Sequence, residues 1–299
     1  MKPDDFDFIV GLLKAQSGLV LDKGKVYLLE SRLTPVARRH GFETLEELLA
    51  HMRRTKDDDL VKTVVEAMTT NESFFFRDNT PFDLFRDQVL PRLLETNAAS
   101  KKIRIWCAAA SSGQEPYSLA MILKDQEIRL KDWRVEILGT DISQQVLDKA
   151  RAGIYSQFEV QRGLPIRTLV RYFTQQGDVW HLNKDVRDKV TFKEFNLLDS
   201  YQGLGQFDVV FCRNVLIYFD QETKSDVLSR LRDVMPAHGV LFLGAAETVL
   251  GLTDRFKPVP GQRGLYVTVE TPLKFASATA SATAPAASAA PLRQAAIRR

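Results

Sequence analysis

Charged side chains stand at the ends of two strand-like runs, and that placement suits them to hold a small ligand. RVEILGTD (134–141) ends on Asp141, and FDVVFCRN (207–214) ends on Arg213 and Asn214. A carboxylate at the end of the second strand of a nucleotide-binding sheet accepts hydrogen bonds from ribose hydroxyls; the same aspartate could instead cap the helix that ISQQV opens. Arg213 and Asn214 offer a cation and an amide at a strand end, and a salt bridge with a turn cap is the plainer alternative. Tyr218 lies four residues beyond Asn214 and shares its side if a helix starts there; a buried tyrosine with a satisfied hydroxyl would read the same way. A third run, IRIWCAA (103–109), leads into AAASSGQEP, whose small residues allow close approach of backbone to a ligand. That stretch is also what a tight strand-to-helix turn looks like. It is not GxGxxG, and the 28 residues from Gly113 to Asp141 exceed the roughly 20 usual in dinucleotide folds. Together these strand ends favour an adenosine-containing ligand and leave NAD, FAD and S-adenosylmethionine all open.

One further stretch stands out. TTNESFFFRD (69–78) sets three phenylalanines, Phe74, Phe75 and Phe76, between polar Asn71 and charged Arg77. Plain core packing would account for the rings but not for their polar frame.

The elements that position these residues fall into zones. LEELLAHMRR (45–54) and LVKTVVEAM (60–68) have helical apolar spacing, and no strand pattern interrupts residues 1–70. From 101 to 270, strands alternate with helices. PYSLAMILKDQ (116–126) and SQQVLDKARAG (143–153) are the helices, the second with a Ser cap and a terminal Gly. VTFKEFNLL (190–198), GVLFLGAAE (239–247) and GLYVTVE (264–270) are further strands. This alternation predicts a parallel, doubly wound sheet. Residues 154–190 break it with two aromatic-rich pieces, read as an insertion holding a helix and a short hairpin. Residues 272–299 are low-complexity Ala/Ser/Thr/Pro and predict a disordered tail.

Composition excludes several classes. Hydrophobic content of 44% with 26% charged residues is that of a globular protein with a real core. The net charge of +3 is a poor case for nucleic acid: residues 271–299 hold four basic residues and no acid, which leaves −1 for the rest. The two cysteines, Cys107 and Cys212, lie in apolar runs and read as buried thiols in a reducing compartment. No run is long enough for a membrane span, and MKPDDFDF has no apolar signal region, so a cytoplasmic protein is expected. Monomer is the default oligomeric state. None of the histidines, His40, His51, His181 and His238, sits in a motif, and all read as surface or packing residues.

Over residues 5–270 the sequence resembles the CheR family, the S-adenosylmethionine-dependent glutamate methyltransferases of bacterial chemoreceptors. The resemblance rests on five segments in order: TTNESFFFRD, AAASSGQEPYSLAM, LGTDIS, FNLLD and FCRNVLIYFD. It implies an α/β fold class, with a small N-terminal all-helical domain (1–70) followed by a doubly wound, Rossmann-like methyltransferase domain (71–271). The insertion becomes a small β-subdomain. The segment 69–78 would fold over the cofactor, with the phenylalanines wedged between domains. Asn71, Ser73 and Arg77 would contact S-adenosylmethionine, Arg77 as partner of its carboxylate. Ser73 stands where the family often has Thr, and the hydroxyl is kept. Glu115 would bind near the methionine amino group, Asp141 the ribose, and Asn196 with Leu197 the adenine side. Arg213 and Asn214 would line the methyl-transfer end and Tyr218 the acceptor side, with Arg77 and Tyr218 the catalytic pair.

The implied reaction gives glutamate methyl esters and S-adenosylhomocysteine, with no metal. A glutamate with an ordinary pKa of about 4.3 is already ionised at neutral pH and needs no general base. The implied partner is the helical cytoplasmic bundle of a transmembrane chemoreceptor, to whose arrays the enzyme would be recruited. Lys25, Arg32 and Arg39 recur every seven residues, with Arg38 beside them, and a basic stripe there would meet an acidic bundle. A solvated face is the competing reading, and Pro35 is expected to kink or restart the helix. The insertion holds a single glycine in FTQQGDVWHLNKD, so docking without a C-terminal peptide tether is expected. The alternatives are a methyltransferase of another substrate, which the helical domain disfavours, and a catalytically silent S-adenosylmethionine-binding receptor adaptor.

Overall fold

The computed structural model describes residues 1–270; the expected tail at 272–299 lies outside the described residues. The chain opens with α1 (Pro3–Ser17), α2 (Val26–Arg39), α3 (Leu45–Arg54) and α4 (Asp58–Met68). Local chemistry sets their limits. Thr44 accepts from the Glu47 N–H to start α3, and Asp57 accepts from the Leu60 N–H to start α4. Gly18, left-handed at φ 76°, ends α1. Leu45, Leu48, Leu49 and Met52 on α3 and Leu60, Val64, Val65 and Met68 on α4 are buried at helical spacing against α1 and α2. No new helix starts after Thr34: α2 runs through Pro35 without a break.

Two short helices, α5 (Thr80–Leu84) and α6 (Leu90–Thr96), are joined by a π turn and lead into the sheet domain. There follow β1 (Lys102–Ala108), α7 (Gln114–Asp125), β2 (Arg134–Asp141) and α8 (Gln144–Ala152). The insertion comes next: β3 (Ile154–Ser156), α9 (Gln157–Gln161), α10 (Ile166–Tyr172), β4 (Phe173–Gln176), β5 (Val179–Leu182) and α11 (Lys184–Arg187). The chain then returns with β6 (Val190–Glu194), β7 (Val209–Cys212), α12 (Gln221–Asp233), β8 (Val240–Leu243), β9 (Phe256–Pro258) and β10 (Leu265–Thr268).

The main sheet has the order β6-β2-β1-β7-β8-β10-β9. The five strands from β6 to β8 are parallel, whereas β10 pairs antiparallel with both β8 and β9. The sheet is therefore mixed at one edge, a correction to the all-parallel expectation. Alternation along β1 sends Ile103, Ile105 and Cys107 to one face and Trp106 and Ala108 to the other, each face a separate packed cluster. Strand order reverses between β1 and β7, and in such sheets the crevice beyond the carboxyl ends at that point is the ligand site. In the insertion, β3-β5-β4 form a separate antiparallel sheet, one strand more than the expected hairpin.

Candidate active site

The loops beyond β1, β2 and β7 surround an open cleft, which the loop after α1 and the segment from Thr69 to Arg77 close from outside. All ten residues expected at the cofactor and reaction centre line it: Asn71, Ser73, Arg77, Glu115, Asp141, Asn196, Leu197, Arg213, Asn214 and Tyr218. They come from positions as far apart as 71 and 218, so their convergence is a property of the fold.

Asp141 is buried at the end of β2, where its two oxygens accept the N–H groups of Ser111 (2.8 Å) and Ser143 (3.0 Å). Burial pushes its carboxyl up from the ordinary value, and the N–H groups of Ser143, Ser111 and Ile142 oppose the rise. A carboxylate has about four acceptor positions, so two such bonds leave capacity for hydroxyl donors. The cap of α8 is the Ser143 side chain, which accepts from the Val146 N–H. The loop after β1 is held in left-handed conformations at Ala109 (φ 65°), Ser111 (φ 51°) and Gly113 (φ 92°). At Gly113 a Cβ would meet Ala150 and the Tyr117 ring at 3.0 Å, so a glycine is needed there. Non-glycine left-handed residues cost energy and gather at functional sites; here Asn214 (φ 59°), also on the cleft, is one more.

Arg213 lines the cleft and also forms the salt bridges that were its plainer alternative. Its side chain is 1% exposed and forms ion pairs with Glu115 (2.9 Å) and Asp78 (2.6 Å), while Nη2 also donates to the Arg77 carbonyl (3.0 Å). Both terminal nitrogens are thus occupied, and the guanidinium ties the 69–78 segment to the end of β7. Burial pushes the Glu115 carboxyl up, and Arg213 pulls it back. Arg77 itself points along the cleft, with one hydrogen bond among the described residues, from Nη1 to the Glu72 carbonyl (2.8 Å).

The three phenylalanines have separate tasks, and the expected wedge between domains is corrected. Phe75 is fully buried in the catalytic core, edge-on to Tyr155 (5.0 Å) and Phe173 (5.4 Å) of the insertion. Phe76 packs on Phe82 (5.4 Å), and Phe74 lies under the guanidiniums of Arg162 (4.3 Å) and Arg77 (5.5 Å). Phe75→Ala should therefore cost about 3–5 kcal/mol of stability and lower the melting midpoint by roughly 10 °C, read by thermal unfolding.

Asn196 lines the cleft, but its side chain is engaged elsewhere: Nδ2 donates to the Gln16 carbonyl (2.7 Å) and Oδ1 accepts the Leu198 N–H (3.0 Å). Leu197 is buried beside it. No α-helix starts at Asn214, the condition on which Tyr218 would share its side; a 3-10 turn spans Leu216–Tyr218, and α12 starts at Gln221. Asn214 and Tyr218 still share the cleft, because the left-handed turn at Asn214 redirects the chain.

Sequence reasoning missed two contributors. Ser17 and Leu19 bring the helical domain into the cleft wall, fastened by the bond from the Val20 N–H to the Tyr218 carbonyl (2.9 Å) and by the Lys14–Asp220 ion pair (2.6 Å). Glu247, buried after β8, accepts from the N–H groups of Gly244 (2.6 Å), Asn214 (2.8 Å), Val215 (2.9 Å) and Ile217 (3.3 Å). An acid just past a strand was the signal that marked Asp141, and GVLFLGAAE carried the same signal.

The basic stripe is also partly corrected. Arg32 turns inward, donating to the carbonyls of Met68 (2.7 Å) and Thr69 (2.8 Å) and to the Thr70 hydroxyl (3.2 Å). It thereby holds the exit of α4, which leads into the cleft-closing segment. Arg38, Arg39 and Lys25 are exposed, and Arg38 lies about 100° round the helix from Arg39. None of the four histidines lines the cleft. Cys107 and Cys212 are free and buried, and burial pushes both thiols well above the ordinary value.

This site chemistry suits an adenosine with a charged amino-acid arm: a buried carboxylate at the second strand end, apolar Ile142, Phe195 and Leu197 beside it, and Arg77 and Glu115 at the far side. Comparison with known proteins agrees. The profile described as CheR methyltransferase, SAM binding domain, matches residues 71–265, and the CheR methyltransferase all-alpha domain matches residues 4–69. Chemotaxis protein methyltransferase 1 of Pseudomonas aeruginosa is 42% identical over 265 residues, 87% of this chain and 96% of that protein. The protein called Chemotaxis protein methyltransferase 1 in Vibrio cholerae is 42% identical over 257 residues, 85% and 92% of the two chains. The chemotaxis protein methyltransferase of Borreliella burgdorferi is 33% identical over 253 residues, 83% and 89%. With both domains matched and the cleft assembled from the residues that the resemblance named, the chain belongs to the CheR family of S-adenosylmethionine-binding chemotaxis methyltransferases.

Proposed function

We propose that this enzyme transfers a methyl group from S-adenosylmethionine to glutamate side chains on the cytoplasmic helical bundle of a chemoreceptor. The observation that carries this reading is the absence of a base: among the described residues, the cleft lining holds no histidine, lysine or cysteine. Two of its carboxylates, Glu115 and Asp141, are buried and bonded, and Glu72 is paired with Arg162. Such a site suits an acceptor that is nucleophilic without losing a proton. S-adenosylmethionine supplies an electrophilic sulfonium methyl. A carboxylate lone pair forms the new O–C bond, the sulfur keeps the electron pair of the broken S–C bond, and no proton moves.

The protein's part is then proximity and orientation. In this reading Asp141 holds ribose hydroxyls, Arg77 the cofactor carboxylate and Glu115 its amino end, while Ile142 and Leu197 flank the base. Ser73 and Asn71 close the cleft, Asn214 borders the transferred methyl, and Tyr218 guides the incoming carboxylate. Exposed Lys25, just before α2, and Arg38 and Arg39 at its end supply local positive charge for an acidic helix. The single-glycine turn between β4 and β5 favours docking without a C-terminal peptide tether, and a calorimetric titration with receptor C-terminal peptides should show no tight binding.

Labelled methyl transfer to receptor-containing membranes tests the main reading. Base-labile label, released as methanol, should appear on a receptor band and vanish with Arg77→Ala. Base-stable label elsewhere would replace the acceptor. Because the acceptor carboxylate needs no general base, the rate should stay flat through neutrality and fall as that acceptor, with an ordinary pKa of about 4.3, is protonated.

A further inference from the structure

The insertion touches both walls of the cofactor cleft. Tyr155 of β3, 1% exposed, donates its hydroxyl to the Ser112 carbonyl (2.8 Å), in the strained loop after β1. The neighbouring Ser111 donates its own hydroxyl to the Asn71 carbonyl (2.9 Å), so that loop and the cleft-closing segment are already joined. On the opposite side of the insertion's first turn, Arg162 forms an ion pair with Glu72 and lies over the Phe74 ring at 4.3 Å. Gly163, left-handed at φ 86°, passes so close that a Cβ there would sit 2.1 Å from the Phe75 carbonyl oxygen. Phe75 itself fits between Tyr155 and Phe173.

These contacts reach residues 72–75 and 112 from one compact unit, and both stretches adjoin residues that line the cleft. Both walls carry left-handed residues that need support from their surroundings: Ala109 and Ser111 in the first, Phe76, Asp78 and Asn79 in the second. We propose that the insertion is a clasp on the cofactor cleft, with Tyr155, Arg162 and Gly163 acting as positioning residues that hold both walls at cofactor-binding distance. The inference rests on S-adenosylmethionine as cofactor and not on the identity of the methyl acceptor.

The test is calorimetric binding of S-adenosylhomocysteine to the full chain, with melting curves beside it. Tyr155→Phe keeps the ring and removes only the bond to Ser112; Arg162→Ala removes the ion pair and the ring contact. Each should weaken binding about fivefold, the worth of one ordinary hydrogen bond. Arg162→Lys should recover part of the loss, since the charge remains. Gln176→Ala, on the exposed part of β4, should bind like the wild type. In turnover, KM for the methyl donor should rise by the same factor, with kcat at saturating donor within about twofold. Unchanged binding in both Tyr155→Phe and Arg162→Ala, with normal melting, would overturn the proposal. Equal weakening by Gln176→Ala would overturn it too, by showing a general effect of the insertion's stability. Failure of the glutamate reading would leave all these binding results intact.

Discussion

Arg213→Met is expected to lower the melting midpoint by on the order of 10 °C and to abolish measurable S-adenosylhomocysteine binding. The guanidinium neutralises Glu115 and also holds Asp78 and the Arg77 carbonyl. Removing one member of a buried ion pair leaves the other charged in a poor solvent, which costs about 3–5 kcal/mol. For a domain of this size that corresponds to the stated shift. The binding loss has a second cause: without Arg213 the described bonds that clamp residues 77 and 78 to the end of β7 are gone, and Arg77 leaves the cleft. The double variant Arg213→Met with Glu115→Gln should regain much of the stability, because the stranded charge is gone, but not the binding. A midpoint within 2 °C of wild type, or binding restored in the double variant, would show that Arg213 is not the anchor.

Glu247→Ala should reduce kcat by roughly a hundredfold or more while altering cofactor affinity far less. Four backbone N–H groups converge on this carboxylate, and three of them, at 214, 215 and 217, shape the turn that carries Asn214 and Tyr218. Buried donors without an acceptor cost about 1–3 kcal/mol each, and the left-handed Asn214 is the residue least able to hold its place unaided. A displacement of about 1 Å in positioning groups is enough for a hundredfold loss of rate. Glu247→Gln separates charge from shape: it keeps one acceptor oxygen and turns an NH₂ donor toward other donors. It should fold yet remain slow. Gly244→Ala should imitate it, since a Cβ there would fall 2.7 Å from Asn214 Nδ2 and 2.8 Å from Glu247 Oε2. Wild-type kcat in either folded variant would remove Glu247 from the positioning machinery.

The role of Glu247 was legible in principle, because it is an acid directly beyond an apolar strand, as Asp141 is. Its function could not be read, since its partners lie some 30 residues upstream in the chain. The same limit explains Arg213. A sequence shows a cation at a strand end; it does not show that two carboxylates from residues 78 and 115 already claim it.

Much of this protein was written locally. Helical spacing and caps set α3 and α4, the Ser143 cap and Gly153 set α8, and apolar runs set the parallel strands, because short-range hydrogen bonding and burial periodicity decide those features. The strand ends pointed to Asp141, Arg213 and Asn214, and the family resemblance named the other residues that meet at the cleft. Tertiary structure decided what they do there. It turned Arg32 inward to the α4 exit, drew the Asn196 amide to Gln16 and placed Leu19 in the cofactor wall. It also sent Phe75 into the insertion's core. Each of these outcomes depends on contacts between residues tens to nearly two hundred positions apart, which side-chain type and spacing do not encode.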